Sequence, residues 1–382
     1  MCRSCTIQQI RNRTVTRRTS AGSTALRALS SSNHRAGLGA FICTATAHPS
    51  THCCPLTAPT RSMCVGFWTL EHPEYALILC SNRDEYLDRP TTHAHWHSFG
   101  PISGHDDPRG SVLSGRDLLA GGTWAGVSRT GRVALLTNIT EPLRKYDSSR
   151  GDLTRSFLLP KAPERTLQAE IDEFQEENRD RAYAGFNLLV LSPSVSTGDL
   201  GPRPLSLDGA FLTNSGGGGT IIARMLSDEE RRCGGMSNGV DHHGANEWPK
   251  VQHGMQALRS LLDTLPQHTA EAEIVERLFE LLTWKNEHAP VDRSELRNTI
   301  QVEPIPLPPA SFPPVTEQAT PSSKSYYGTR LSTVLLIRRD GSVTFIERDI
   351  WTLDESGAVV KRDLGHDRVF RFQIEPEGPE SI

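Results

Sequence analysis

The chain has 382 residues, 36% of them hydrophobic and 23% charged, with a formal net charge of −4, the balance of an ordinary globular protein. Eight arginines and no acidic residue fall within positions 1–62, so everything after them is more acidic than the whole. An acidic body repels phosphate backbones and argues against nucleic acid as a partner, and no apolar run approaches the ~20 residues that span a bilayer.

Residues 1–62 form a leader rich in Ser, Thr and Arg (Arg3, Arg11, Arg13, Arg17, Arg18, Arg27, Arg35, Arg61). This is the composition of a mitochondrial transit peptide, and equally that of a disordered leader or of sequence upstream of the true start. Five cysteines lie there: Cys2, Cys5, Cys43, Cys53 and Cys54. Only Cys64, Cys80 and Cys233 remain for the body. Three scattered cysteines make no disulfide framework and point to a reducing compartment. His52 beside Cys53-Cys54 lacks a second pair at ligand spacing, so no metal site is expected there.

From Met63 the texture changes. Val65–Leu70 and Tyr75–Ser81 predict two strands joined by a turn at Glu71-His72-Pro73, and 86–120 reads as polar loop. Trp124–Val127 and Val133–Leu136 predict a hairpin about Gly131. Leu153–Leu159 and Thr166–Asn178 read as helices, and Phe186–Leu191 as a strand covered on both faces. Residues 192–247, rich in Gly, Ser and Pro, read as irregular. The apolar spacing in Val251–Leu265 and Ala270–Leu282 predicts two helices. The prolines of 303–325 predict an extended insertion, Asp340-Gly341 a second hairpin between Leu331–Arg338 and Val343–Arg348, and Arg368–Ile374 a terminal strand. Strands, then helices, then strands suit a layered α+β fold with largely antiparallel sheets.

The most unusual local feature is Asn82-Arg83-Asp84-Glu85, directly after a buried strand. One cation, two carboxylates and an amide converge there. Arg83 can hold an anion by a bidentate fork, and Asp84 can orient a thiol or amine and shift its pKa. Further words follow in order: Gly121-Gly122-Thr123-Trp124, Thr137-Asn138, Ser149-Arg150-Gly151, Gly185-Phe186-Asn187, Met236-Ser237-Asn238 before Trp248-Pro249-Lys250-Val251, and Gly328-Thr329-Arg330.

Together with the Met63-Cys64 start, these words resemble the Transport and Golgi organization protein 2 family, also called NRDE after the tetrapeptide at 82–85. The resemblance spans Met63 to the last strand. The leader and the Pro-rich insertion depart from it, as does Asn214-Ser215-Gly216-Gly217, where the family usually has Asn-Arg-Gly-Gly.

The resemblance implies an αββα domain over 63–382, a four-layer sandwich of the N-terminal nucleophile hydrolase type. In such proteins a terminal Cys, Ser or Thr attacks an amide and its own α-amine is the base. Cys64 would then be nucleophile and base, Arg83 would support the thiolate, and Asp84 would hold the α-amine. Asn138 and Asn238 would donate to the oxyanion or substrate carbonyl, and Arg330 would be a further cation. Asn82 and Glu85 would be supporting residues. All of this requires a free Cys64 amine, with residues 1–63 removed or never made. The implied substrates are linear amides such as N-acyl conjugates, with no cofactor. The family's associations are Golgi organization, protein secretion, and haem and lipid homeostasis. The alternative they imply is a non-enzymatic carrier of haem or an acyl lipid, placed in cytoplasm or at the Golgi where the leader suggests the mitochondrion.

His93, His95 and His97 alternate near His105, Asp106 and Asp107, and the loop composition reads as a solvated segment, not a metal site. Gly216–Gly219 lacks the Lys-Ser/Thr of a phosphate loop and reads as a turn. Trp68, Trp96, Trp124 and Trp248 are expected in the core or in a pocket wall.

Overall fold

The computed structural model describes residues 63–375, except 102–106, 143, 160–164, 196–203, 267, 289, 291–292, 308–324 and 364. The leader at 1–62, His105, Asp106 and most of the Pro-rich insertion lie outside the described residues.

Chain order runs β1 (Val65–Thr69), β2 (Tyr75–Tyr86), β3 (His95–His97), β4 (Val112–Ser114), β5 (Ala125–Ser128) and β6 (Val133–Asn138), then α1 (Arg150–Leu158) and α2 (Leu167–Glu177). Next come β7 (Phe186–Pro193), β8 (Leu207–Thr213), β9 (Ile222–Met225), α3 (Asp228–Arg232) and β10 (Gly234–Met236). Helices α4 (Pro249–Thr264) and α5 (Glu271–Leu281) follow. The chain ends in β11 (Ile305–Leu307), β12 (Ser325–Arg338), β13 (Ser342–Asp349), β14 (Trp351–Leu353), β15 (Val359–Lys361) and β16 (Arg368–Gln373).

Two seven-stranded sheets result. One has the order β10-β1-β2-β12-β13-β16, with β11 on β12, and the other runs β3 to β9 in sequence. The ladders of both are antiparallel. Strand alternation assigns each apolar residue to a layer. Leu77 and Leu79 of β2, Leu135 of β6, Leu189 and Leu191 of β7, and Leu335 and Ile337 of β12 fill one cluster between the sheets. Their neighbours Ile78, Cys80, Val334 and Leu336 pack outward onto Leu258 of α4 and Ile274 and Leu278 of α5. On the other side Ala134, Leu136, Leu188 and Val190 meet Leu153 and Phe157 of α1 and Ile171 and Phe174 of α2. The strands read as continuous apolar runs because both faces are covered. This is the four-layer αββα sandwich expected of the chain. At roughly 1.5–3 kcal/mol per fully buried apolar side chain, these layers outweigh surface pairs worth roughly 0–1 kcal/mol.

Local chemistry sets the helix ends. Thr166 accepts a bond from Ala169 N–H to cap α2, and Pro249 opens α4. A Cβ on Gly254 would lie 2.0 Å from the Phe67 ring, so glycine there lets α4 settle onto β1.

The structure corrects several expectations. Residues 86–120 and 192–247 are not simply loop: they supply β3, β4, β8, β9, α3 and β10. Helix α1 begins at Arg150, not Leu153, and β12 begins at Ser325, not Leu331. Asn82–Glu85 does not follow a strand but lies inside β2, which continues to Tyr86 because β12 pairs with it along this whole stretch.

Candidate functional site

The pairing Val65↔Asn82 sets Cys64 opposite Arg83 at the margin of β1 and β2. Alternation then sorts the tetrapeptide. Arg83 and Glu85 share the inter-sheet side of β2 with Leu77 and Leu79, and Asn82 and Asp84 share the other side with Ile78 and Cys80. Where the sheets part, a cavity of about 520 Å³ opens, with Cys64, Arg83, Glu85, Trp124, Asn138 and Arg150 in its wall.

Each wall residue has a structural reason. A Cβ on Gly122 would lie 2.4 Å from the Gly151 carbonyl carbon, so Gly122 lets this loop pack on the first turn of α1. Thr123 Oγ1 donates to the Gly115 carbonyl at 2.7 Å, and the Arg83 guanidinium carbon lies over the ring of Trp124 next to it, 3.9 Å from the centroid. Arg83 is 5% exposed, 3.9 Å from Glu85, and its Nη1 has no hydrogen-bond partner among the described residues. Burial pushes Arg83 down, and Glu85 and then Cys64 push it back up. Glu85 therefore stands in the cavity wall rather than behind it.

On the opposite side of β2 the interior is polar and fully satisfied around Asn82. Its amide donates to the carbonyls of Leu282 and Ile300 at 2.9 and 3.1 Å, and it accepts from Ser332 Oγ at 2.6 Å. Asn82 ties β2 to the Leu282 and Ile300 carbonyls and to Ser332 of β12. Asp84 accepts from Thr329 Oγ1 at 2.6 Å, and its carbonyl accepts from Tyr327 Oη at 3.0 Å. The Cys64 Sγ lies 3.8 Å from that same carbonyl oxygen.

Lys250 completes this interior. Its Nζ donates to the Met63 carbonyl at 2.6 Å, and the Met63 N–H donates to Tyr327 Oη at 2.6 Å. Burial pushes Lys250 down to about 8, against Asp84 and Cys64, which raise it. Burial pushes Asp84 up to about 7, against Lys250 first and Thr329 next. Each charge offsets part of the other's burial cost, and burial still outweighs the offset at both groups. Sequence reasoning singled out neither Lys250 nor Arg150 as a site residue. The signal for Lys250 was its spacing: Lys250, Gly254 and Leu258 recur every four residues on the buried stripe of α4.

Asn138, at the end of β6, lines the cavity. Asn238 does not. It is fully buried, its amide donates to the Asn138 carbonyl, and its own carbonyl accepts from Thr140 N–H at 2.9 Å. Neighbouring Ser237 Oγ donates to the Cys64 carbonyl at 2.8 Å, while the Ser237 carbonyl accepts from Thr137 Oγ1 and Asn187 Nδ2 at 2.6 and 2.9 Å. This segment straps the two sheets together behind the cavity, so Asn238 positions Asn138. Arg330 falls at a bulge in the β2–β12 ladder and donates to the Arg89 carbonyl at 2.5 Å, outside the cavity wall. Burial first, and then the like charge of Arg83, push it down to about 10.

The histidine alternation has a local explanation. His97 Nε2 pairs with Ser114 Oγ at 2.9 Å, and burial pushes its pKa to about 3. Among the described residues no group of three or more His, Cys, Asp or Glu is placed to hold a metal ion. In the Gly216–Gly219 turn, Gly217 N–H donates to Glu141 at 2.6 Å. Trp124 is the pocket-wall tryptophan, Trp68 is core, Trp96 meets Phe372 edge-on, and Trp248 packs near Met63. No described helix is long and apolar enough to cross a membrane.

Fold and site together define an αββα protein with a cysteine at the head of its first strand, facing a cation-rich cavity between the sheets. Residues 63–352 match the family described as Transport and Golgi organisation 2, and the chain belongs to that family. The Transport and Golgi organization 2 homolog of Mus musculus is 27% identical, over 77% of this chain and 95% of its own length. The Homo sapiens homolog is 25% identical over 82% and 100%, and the Drosophila melanogaster protein 24% over 80% and 98%. Similar solved structures include a Caenorhabditis elegans N-acylethanolamine-hydrolyzing acid amidase ortholog, with TM-score 0.39 and 13% identity over 71% of this chain and 92% of that one. A mutant conjugated bile acid hydrolase from Clostridium perfringens has TM-score 0.37 and 6% identity, over 84% and 100%.

Proposed function

We propose that the protein is a cysteine amidohydrolase acting on linear amides such as N-acyl conjugates, with Cys64 as nucleophile once its α-amine is free. The observation that carries this reading is the position of Cys64: it lines the cavity one residue beyond the ladder pair Val65↔Asn82, its thiol lies 3.8 Å from the Asp84 carbonyl, and Lys250 bonds the carbonyl of Met63 just before it. In the reaction the α-amine takes the thiol proton, Sγ bonds to the amide carbon, and Asn138 donates to the oxyanion. The C–N bond breaks as the amine leaves with that proton. Water then cleaves the thioester, giving the acid and restoring the thiol. Loss of Met63 leaves the Lys250 ammonium and the Tyr327 hydroxyl beside the new amine. A buried like charge keeps that amine unprotonated and able to act as base, and Asp84 orients it.

The relatives carry the name Transport and Golgi organization 2, which supports reading such an activity as part of transport and Golgi organization at a cytoplasmic, Golgi-associated location. A second reading, a non-enzymatic carrier of haem or an acyl lipid, has its own support. Met63 is 1% exposed, with its N–H and carbonyl both bonded, and a chain that keeps it has only a peptide nitrogen at Cys64.

The test has two parts. Mass spectrometry of the native protein reads its amino-terminal residue, which amidase action requires to be Cys64. A chain begun at Met63, where the family match over 63–352 starts, is assayed beside Cys64→Ala on a panel of N-acyl amides. Turnover lost in Cys64→Ala supports the amidase. No turnover in either, with haem or lipid binding retained, leaves the carrier.

A further inference from the structure

The cavity wall carries Arg83, Arg89, Arg144, Lys145 and Arg150 against Glu85, Asp117 and Asp147, an excess of cations in a chain of net charge −4. The acids are unevenly used. Arg89 takes Asp117 at 2.6 Å and shares Glu85, at 3.7 Å, with Arg83 at 3.9 Å. Asp147 is exposed. Arg150 has no ion-pair partner among the described residues. It gives Nη1 to the Gly185 carbonyl at 2.9 Å and is buried enough to be pushed down to about 10. A guanidinium has five N–H donors, so most of its donor capacity remains for a ligand.

Two further features point the same way. Arg150 is the first residue of α1, and Ser149 at the N-cap makes no side-chain cap bond. Ser149, Arg150 and Gly151 all line the cavity, so the positive end of a nine-residue helix opens onto it. Independently, the buried Arg83, whose Nη1 has no hydrogen-bond partner among the described residues, lines the same cavity. Helix end, the Arg150 guanidinium and the buried Arg83 all line one cavity of ligand size.

We infer that this cavity takes N-acyl amides bearing an anionic group, a carboxylate or a phosphate, which sits against Arg150 and the first turn of α1. The identity of the reacting bond rests on the amidase reading; the anion seat does not. Fork geometry and the helix end suit either oxyanion, and a neutral headgroup would leave the guanidinium donors without a partner.

The full-length protein carrying Cys64→Ala separates the two questions, because binding is read without turnover. Calorimetric titration with N-octanoylglycine, N-octanoylethanolamine and the phosphate ester of N-octanoylethanolamine compares carboxylate, neutral and phosphate heads on one acyl chain. One or both anionic probes bind about tenfold or more tighter than the neutral one, and the tighter of the two names the headgroup. Arg150→Gln brings the anionic probes to within about twofold of the neutral probe, and Arg150→Lys keeps part of the preference. Equal binding of all three by the Cys64→Ala protein, or no binding of any, overturns the inference whatever Arg150→Gln does to folding. An anion preference that survives in folded Arg150→Gln overturns the seat. If wild type turns over no amide yet the anion preference stands, the amidase reading fails and this one does not.

Discussion

The Lys250 ammonium lies 2.6 Å from the Met63 carbonyl oxygen, with Lys250 0% and Met63 1% exposed. A cation held this deep depends on Asp84, and Asp84 depends on it. Replacing one partner leaves the other's burial cost without that offset, a loss of about 1–3 kcal/mol. Lys250→Met is therefore expected to lower the unfolding free energy by about that much, and adding Asp84→Asn to recover part of it. A double-mutant cycle in urea reads the coupling. Effects that simply add would show that the two charges do not sustain each other.

The same pair gives a pH signature. Folding raises Asp84 from 3.8 to about 7, so the folded protein binds this proton more tightly than the unfolded chain. The stabilisation is full below pH 3.8 and is lost as pH rises through about 7. Melting temperatures across that window should fall with pH more steeply in wild type than in Asp84→Asn. Parallel curves would mean that Asp84 titrates as an ordinary carboxylate.

Gly122→Ala puts a methyl 2.4 Å from backbone carbon and 2.6 Å from backbone oxygen of Gly151. Neither can swing aside, so α1 must shift away from the Trp124 loop. The expected cost is about 1–3 kcal/mol, together with loss of the anion preference attributed to Arg150. Wild-type stability with wild-type selectivity would show that this contact does not position the helix.

The three body cysteines should separate by alkylation rate. Cys64 faces the cavity opposite Arg83. Cys80 is 0% exposed and Cys233 2%, and burial raises both thiols. Peptide mapping after brief iodoacetamide treatment should find Cys64 modified first. Arg83→Gln should slow it about tenfold, because the nearby cation favours the thiolate. Equal rates at Cys64 and Cys80 would contradict a cavity-facing thiol.

Much of the fold was legible wherever burial on both faces wrote a continuous apolar run, as in β7 and the cores of β2, β12 and β13. It was not legible where a partner strand, rather than the segment's own residues, makes the strand. Gly234-Gly235-Met236 has little strand propensity and exists as β10 through its pairing with β1. Exposed β9 and the three-residue β3 and β4 were hidden for similar reasons. At the site, Cys64, Arg83 and Asn138 were readable and share the cavity wall. Asn238 and Arg330 were readable as words, but their hydrogen bonds are spent on Asn138 and Arg89. Lys250 and Arg150 were also readable as words but drew no site role, because helix starts are blurred in sequence and each sits in the first turn of its helix.

Strand β2 is a single uninterrupted run from Tyr75 to Tyr86, locked on one side to β1 and on the other to β12. Its period of two serves core and cavity at once. One residue inserted between Leu79 and Arg83 would turn every later side chain over: Arg83 would face the α4–α5 layer and Asp84 the cavity. Length variation in this family should therefore collect in connections such as 308–324 and avoid these twelve positions, whose count is as constrained as their chemistry.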